Sequence, residues 1–279
     1  MNPDTAPPAG PERVEPTLVT SRDNALVKEL KRLAQDNTDY RRQGRLWLEG
    51  DHLCRAALAR GLKPGLAVFP ASTWPAARTE WQERADRTLL LADPLWSLVS
   101  GLESPARMAF VIDLPAPPVL APDAPSVILD RLQDAGNVGS ILRSAAAFGF
   151  RQVLALKGTA ALWSPKVLRA GMGAHFGLQL LEGLTEADLE GLTVPWLVTS
   201  SHAGGLVHHT ALPWPCAWVL GHEGQGVSAA LEKRAALRIR IAQPGGEESL
   251  NVAAAAAICL HASASGQLTP GWRRPDAGL

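Results

Sequence analysis

The chain has 279 residues, 46% of them apolar, and its 27 basic and 27 acidic side chains leave no formal net charge. That composition excludes a largely disordered chain and a histone-like polycation, but not a local nucleic-acid footprint. No apolar stretch reaches membrane-spanning length, the N-terminus lacks an apolar signal core, and Cys54, Cys216 and Cys259 are too scattered for a zinc-like cluster. A cytoplasmic protein with neither membrane nor metal partner is expected.

Residues 1–20 carry five prolines and read as a flexible tail. Residues 21–110 read as a small α/β module. Leu26, Leu30 and Leu33 recur at helical spacing, and LWLEGDHLCRAALAR at 46–60 opens as a strand and continues as a helix stopped by Gly61. LAVFP at 66–70 predicts a strand, 75–85 a helix, and TLLLA at 88–92 another strand. The proline-rich stretch 111–125 predicts a linker.

From 126 to 265 the alternation is more regular. Strands are predicted at 126–131, 152–156, VPWLVTS, 216–221 and 237–242, and helices at 138–149, 164–171, 185–191 and 251–263. Strands separated by helices predict a mainly parallel sheet covered on both faces. Residues 266–279 read as a loose tail whose Trp272 can still dock, and most of the nine tryptophans read as core.

Three segments carry the chemistry. In ILDRLQDAGNVGSILRSAAAFGF a strand ends near Asp130 and a helix begins near Asn137, a good N-cap residue, with Arg143 six residues on. Arg143 suits an anionic ligand, or else a surface or internal ion pair. In VLGHEGQGVS an apolar strand runs into Gly221, Gly224 and Gly226, which permit tight turns and close ligand approach, while Glu223 orients a ligand or caps the next helix. The spacing matches neither a phosphate loop nor a dinucleotide fingerprint. In IRIAQPGGEESLNVAAAAAICL a strand ends at Ile241, and Ser249 or Asn251 caps an alanine-rich helix.

Together these segments closely resemble the signature motifs of the SpoU/TrmH family of RNA ribose 2'-O-methyltransferases. Asn137, Gly139 and Arg143 match its Asn-x-Gly-x-x-x-Arg, Gly221, Glu223 and Gly226 its Gly-x-Glu-x-x-Gly, and Ser249 to Val252 its Ser-Leu-Asn-Val. LRAGMGAHF, with Arg169, Gly173 and Ala174, is similar to its Arg-Ala-Ser-x-Gly-Ala. Three departures stand out: Asp134-Ala135-Gly136 where Asp-Pro is usual, Gly171 where the serine is usual, and Ala242-Gln243 where Pro-Met follows the isoleucine. Residues 21–110 also resemble the substrate-binding module, similar to ribosomal protein L30e, that precedes many of these catalytic domains. Lys28, Lys31, Arg32, Arg41, Arg42 and Arg45 would form its RNA-facing basic patch.

The resemblance implies an α/β fold with a deep trefoil-knotted, parallel-sheet methyltransferase domain at the C-terminus, assembled as a homodimer. It implies S-adenosyl-L-methionine as cofactor, held by Thr199, Ser200, Gly221, Ile241, Leu250 and Val252. It assigns catalysis to Arg143, Asn137, Glu223, Ser249 and Asn251, with Arg143 beside the attacking hydroxyl. The expected partner is RNA, ribosomal RNA first and transfer RNA as the alternative. Rival readings are a non-catalytic RNA-binding member and methylation of a base nitrogen.

Overall fold

A computed structural model describes residues 15–200, 203–246 and 249–268. The N-terminal elements are β1 (Thr17–Val19), α1 (Ala25–Gln35), α2 (Asp39–Gln43), β2 (Arg45–Glu49), α3 (Asp51–Ala59), β3 (Leu66–Pro70), α4 (Trp74–Trp81), β4 (Arg87–Leu91), α5 (Asp93–Ser100) and β5 (Ala109–Asp113). Their five strands form one mixed sheet in the order β1-β4-β3-β5-β2. β1, β4 and β3 run parallel, and β5 is antiparallel to both β3 and β2.

The C-terminal elements are β6 (Ser126–Asp130), α6 (Ala135–Ala147), β7 (Gln152–Leu156), α7 (Pro165–Gly171), β8 (Gln179–Leu184), β9 (Trp196–Thr199), β10 (Gly205–Leu206), β11 (Ala217–Gly221), α8 (Ala229–Arg234), β12 (Leu237–Arg240) and α9 (Val252–Ser265). Seven parallel strands pair in the order β10-β12-β9-β11-β6-β7-β8. Apolar residues fill β6 and β11 without alternation because both faces are covered. Val127, Leu129, Val153 and Leu220 join the core that includes Ile141, Leu168 and Cys259 of α6, α7 and α9. Ile128, Leu154 and Val219 face the other way, toward Leu189 and Leu231.

The two domains share one continuous core, in which Leu46 and Leu48 of β2 join Leu168 of α7. A polar latch adds to it. The Tyr40 hydroxyl donates to the Glu182 carboxylate of β8, Arg41 Nε reaches the same oxygen at 3.0 Å, and the other Glu182 oxygen accepts the Leu162 N–H at 2.9 Å. Burial, reinforced by the Glu182 charge, pushes the Tyr40 phenol well above its usual pKa, so it stays a donor. Arg41 is thereby committed to the domain interface, and Arg42 Nε to Asp39 at 2.8 Å, while Lys28 pairs with Asp23 at 3.7 Å. Three members of the expected basic patch are therefore already paired.

Other boundaries also shift. The tail expected over 1–20 ends early, because Thr17–Val19 pair along β4; residues 1–14 lie outside the described residues. β5 extends to Asp113, so the linker begins at Leu114 rather than at 111. The helix expected at 185–191 is a single 3-10 turn, Ala187–Leu189, pinned by the Asp188 carboxylate accepting the Thr185 N–H at 2.7 Å. α9 runs to Ser265, two residues past the predicted helix end and up to the expected start of the tail at 266; the tail beyond 268, with Trp272, lies outside the described residues. Trp47, Trp74, Trp81, Trp96, Trp163, Trp196 and Trp218 are all buried, as core aromatics. Among the described residues no helix is long and apolar enough to cross a membrane, and no group of three or more His, Cys, Asp or Glu is placed to hold a metal ion.

Candidate active site

A parallel sheet delivers its strand-to-helix loops to one edge, where ligands bind. Here the loops after β9, β11 and β12 surround a cavity of about 390 Å³ at that edge. Thr199, Ser200, Gly221, Ile241, Leu250 and Val252 all line it, as do Glu223, Ser249 and Asn251. Asn137 reaches it through hydrogen bonds. Asn251 Nδ2 donates to Asn137 Oδ1 at 2.9 Å, and Asn137 Nδ2 donates to Glu223 Oε1 at 3.3 Å. All three sequence segments thus meet in one chain of contacts.

The helix ends explain how. Asp134, not Asn137, caps α6: its Oδ1 accepts the Asn137 N–H at 2.7 Å. Asn137 therefore sits inside the first turn with its carboxamide free to bridge. Asn251 does cap α9, its Oδ1 accepting the N–H groups of Ala253 at 2.9 Å and Ala254 at 3.2 Å. Its remaining amide is what reaches Asn137. Ser249 does not cap.

Glu223 closes the chain by accepting the N–H groups of Gln133 at 3.3 Å and Asp134 at 3.2 Å. Partial burial pulls its pKa upward. Hydrogen bonds from its own N–H, from Asp134, Asn137 and Gln133 outweigh that and hold the carboxyl below its ordinary 4.5. A depressed folded-state pKa adds stability above the unfolded value that disappears as pH falls through the folded one. Wild type should therefore exceed Glu223→Gln in thermal stability by a margin that is constant above pH 4.5 and shrinks below it. Melting curves between about pH 3 and 7 test this, and a margin widening in acid would refute it.

Arg143 is placed differently. It does not line the cavity, it is exposed, and it has no ion pair or hydrogen bond among the described residues. Six helical residues rotate it about 120° from Asn137. It follows Gly139 by one turn, and Gly139 faces α7: a Cβ there would stand 2.4 Å from Ala170 Cβ. α6 thus presents Asn137 to the cavity and Arg143 toward the neighbouring helix.

Apart from Gln243, already marked as a departure in the third motif, several residues at the site were not singled out. His222 Nδ1 accepts the N–H groups of Gly224 at 3.0 Å and Gln225 at 3.2 Å, so its Nε2 is the donor at the cavity wall. Gln243 also lines the cavity, and its Oε1 is buried without a partner. Asp130, buried at the end of β6, accepts the Ser228 N–H at 2.6 Å and pairs with Arg131, whose Nη1 reaches Gln225 Oε1 at 3.1 Å. These contacts tie the β6 and β11 loops together. The only sequence signal for them was proximity to the motifs. The Gly171 departure has a local reason: a side chain there would meet the buried His175 ring at 2.4 Å.

Residues 124–261 match the model of the SpoU rRNA Methylase family. An uncharacterized tRNA/rRNA methyltransferase of Synechocystis is 35% identical over 273 residues, covering 87% of this chain and 92% of that protein. The 23S rRNA (guanosine(2553)-2'-O)-methyltransferase RlmP of Bacillus subtilis is 29% identical, covering 87% of this chain and 97% of its own. Among solved structures, the AdoMet-bound rRNA methyltransferase of Sinorhizobium meliloti superposes with a TM-score of 0.77 at 26% identity, over 91% of this chain and 99% of that one.

Proposed function

From membership of the SpoU rRNA methylase family, to which this chain belongs, we propose that it methylates ribosomal RNA. The reaction is S-adenosylmethionine-dependent transfer of a methyl group to a ribose 2'-hydroxyl. The observation that carries this reading is the Asn251–Asn137–Glu223 chain at the rim of the cavity.

The cavity suits the cofactor. Ile239, Ile241, Leu250 and Val252 give apolar walls for a purine, and a Gly221 without side chain leaves backbone open to it. The unpartnered Gln243 Oε1 adds an acceptor with no donor of its own. Bound there, the sulfonium supplies an electrophilic methyl group. The protein supplies position, which is most of what an in-line displacement needs. Asn137 and Asn251 fix the rim against which the ribose lies. Arg143 binds the adjoining phosphate and stabilises the oxygen as its proton passes to solvent water; a guanidinium, charged at all working pH, is a poor base. Glu223 and Ser249 orient these groups.

Three further features belong to this reading. A homodimer is supported by α9, whose first nine residues are all apolar: Cys259 and Leu260 are buried against the body, while Ile258 is 40% exposed. A helix of that composition calls for cover on its second face. The trefoil knot is supported by a strand order that interleaves β9, β11 and β12, and the L30e-like module by the small five-stranded α/β domain. A cytoplasmic setting is supported by three free, buried thiols.

The test incubates the protein with isotopically labelled S-adenosylmethionine and unmodified ribosomal or transfer RNA, then digests the RNA to nucleosides. Labelled 2'-O-methylnucleoside from ribosomal RNA is expected. Label on a base, or RNA binding without transfer, would replace this reading with one of its rivals.

A further inference from the structure

A second concave surface lies between the two domains. The end of α1, with Gln35 and Asn37, and the end of α5, with Gly101, form one wall; Lys166 and Arg169 of α7 form the other, around about 210 Å³. Lys166 and Arg169 stand three residues apart and so share a face of the helix. Val167 and Leu168 between them are buried in the core. Neither cation has an ion pair or hydrogen bond among the described residues, unlike Arg41, Arg42 and Lys28. The nearby Asp36 carboxylate is turned into its own loop, accepting the Thr38 N–H at 2.8 Å and hydroxyl at 2.9 Å. The cleft therefore holds two uncompensated positive charges.

Its place matters as much as its charge. β6 and β7 are neighbours, and α6 and α7 both start from the sheet edge that carries the cavity. The two helices pack directly, with Gly139 against Ala170. Packed helices lie roughly 8–10 Å apart. Arg143 projects from α6 on the side of that crossing, and Arg169 immediately precedes Ala170 on α7. Arg143, one turn beyond Gly139, and Arg169, next to Ala170, thus flank the one helix crossing that joins the α7 wall of the cleft to the helix carrying Asn137.

We infer that the interdomain cleft holds the phosphodiester backbone of the RNA beside the modified ribose, with Lys166 and Arg169 as positioning residues. This rests on the methyltransferase reading and adds to it the track by which substrate arrives. The N-terminal domain then acts by forming the second wall of that track, as well as through its own surface.

The experiment measures binding of unmodified ribosomal RNA transcripts to the full chain across a salt series, with Lys166→Gln/Arg169→Gln beside wild type. The double variant is expected to lose about tenfold in affinity at low salt. Its slope of log affinity on log salt should fall by about 1.4, or roughly 0.7 per phosphate contact on a single strand. RNA KM should rise with kcat little changed at saturation, and cofactor affinity should stay within about twofold. Arg151→Gln/Lys233→Gln removes equal charge elsewhere and should leave the slope near that of wild type. Lys166→Glu alone gives a second reading of the same contact, with a larger loss. An unchanged slope in the cleft variants, or an equal drop in the control, overturns the inference. A wild type that binds RNA with the predicted cleft dependence but transfers no methyl group would overturn the activity and leave the cleft standing.

Discussion

Gly221→Ala is expected to weaken S-adenosylmethionine binding by about 100-fold, equivalent to roughly 3 kcal/mol, as read by calorimetric titration. The cause is space. A Cβ at 221 would lie 2.2 Å from both the Gly226 carbonyl carbon and the Val227 nitrogen. Those are backbone atoms and cannot swing aside as a flexible side chain does. They are also held in place: His222 N–H donates to Gly226 O at 3.0 Å, and Gly226 N–H returns to His222 O at 2.8 Å. The left-handed Gly226, with φ +69°, lets the loop fold back so closely. A methyl group must push this whole turn away from β11. The cavity loses its wall, and Glu223 loses its register with Asn137. Buried β11 itself should survive, so circular dichroism should still report a folded protein. Normal cofactor affinity in a folded Gly221→Ala protein would show that this cavity is not the cofactor site.

Arg143→Ala is expected to cut kcat by about 10²- to 10³-fold, the usual consequence of removing one group that stabilises developing charge. Stability should change by less than about 0.5 kcal/mol, as for other exposed residues without partners. Cofactor affinity should stay within about twofold, since Arg143 does not line the cavity. Lys at this position restores charge but not the planar fork, so recovery should be small. Single-turnover methyl transfer, thermal melting and cofactor titration separate the three effects. Equal losses in cofactor affinity and rate would move Arg143 into the cofactor's own binding, against its place on α6.

The buried central strands are legible in the sequence, while β1, β5, β8 and β10 are not. LAVFP and QVLAL form β3 and β7 over the same residues that the pattern picks out, because both are short apolar runs closed by turn residues. α2 and α5 were not seen. DYRRQ is one turn with no apolar face of its own, and DPLWSLVS opens on a proline that the first turn of a helix tolerates. At the site, the residue types and their order were readable, but the partners were not. Asn137 looks like a cap when only its neighbours are considered; Asp134 takes that role and releases it to a residue 114 positions away. The arginines of α2 look like an RNA patch until Glu182, far along the chain, claims Arg41. Charge and hydrogen-bonding capacity are local properties. Who uses them is decided by tertiary contact.

The double duty of Asn251 sets an order of assembly. One side chain both starts α9 and completes the rim that Asn137 and Glu223 began. A ribosome releases the N-terminal domain and most of the sheet before that residue emerges. Until then the cavity lacks this part of its rim, and a chain cut before Asn251 is expected not to methylate RNA.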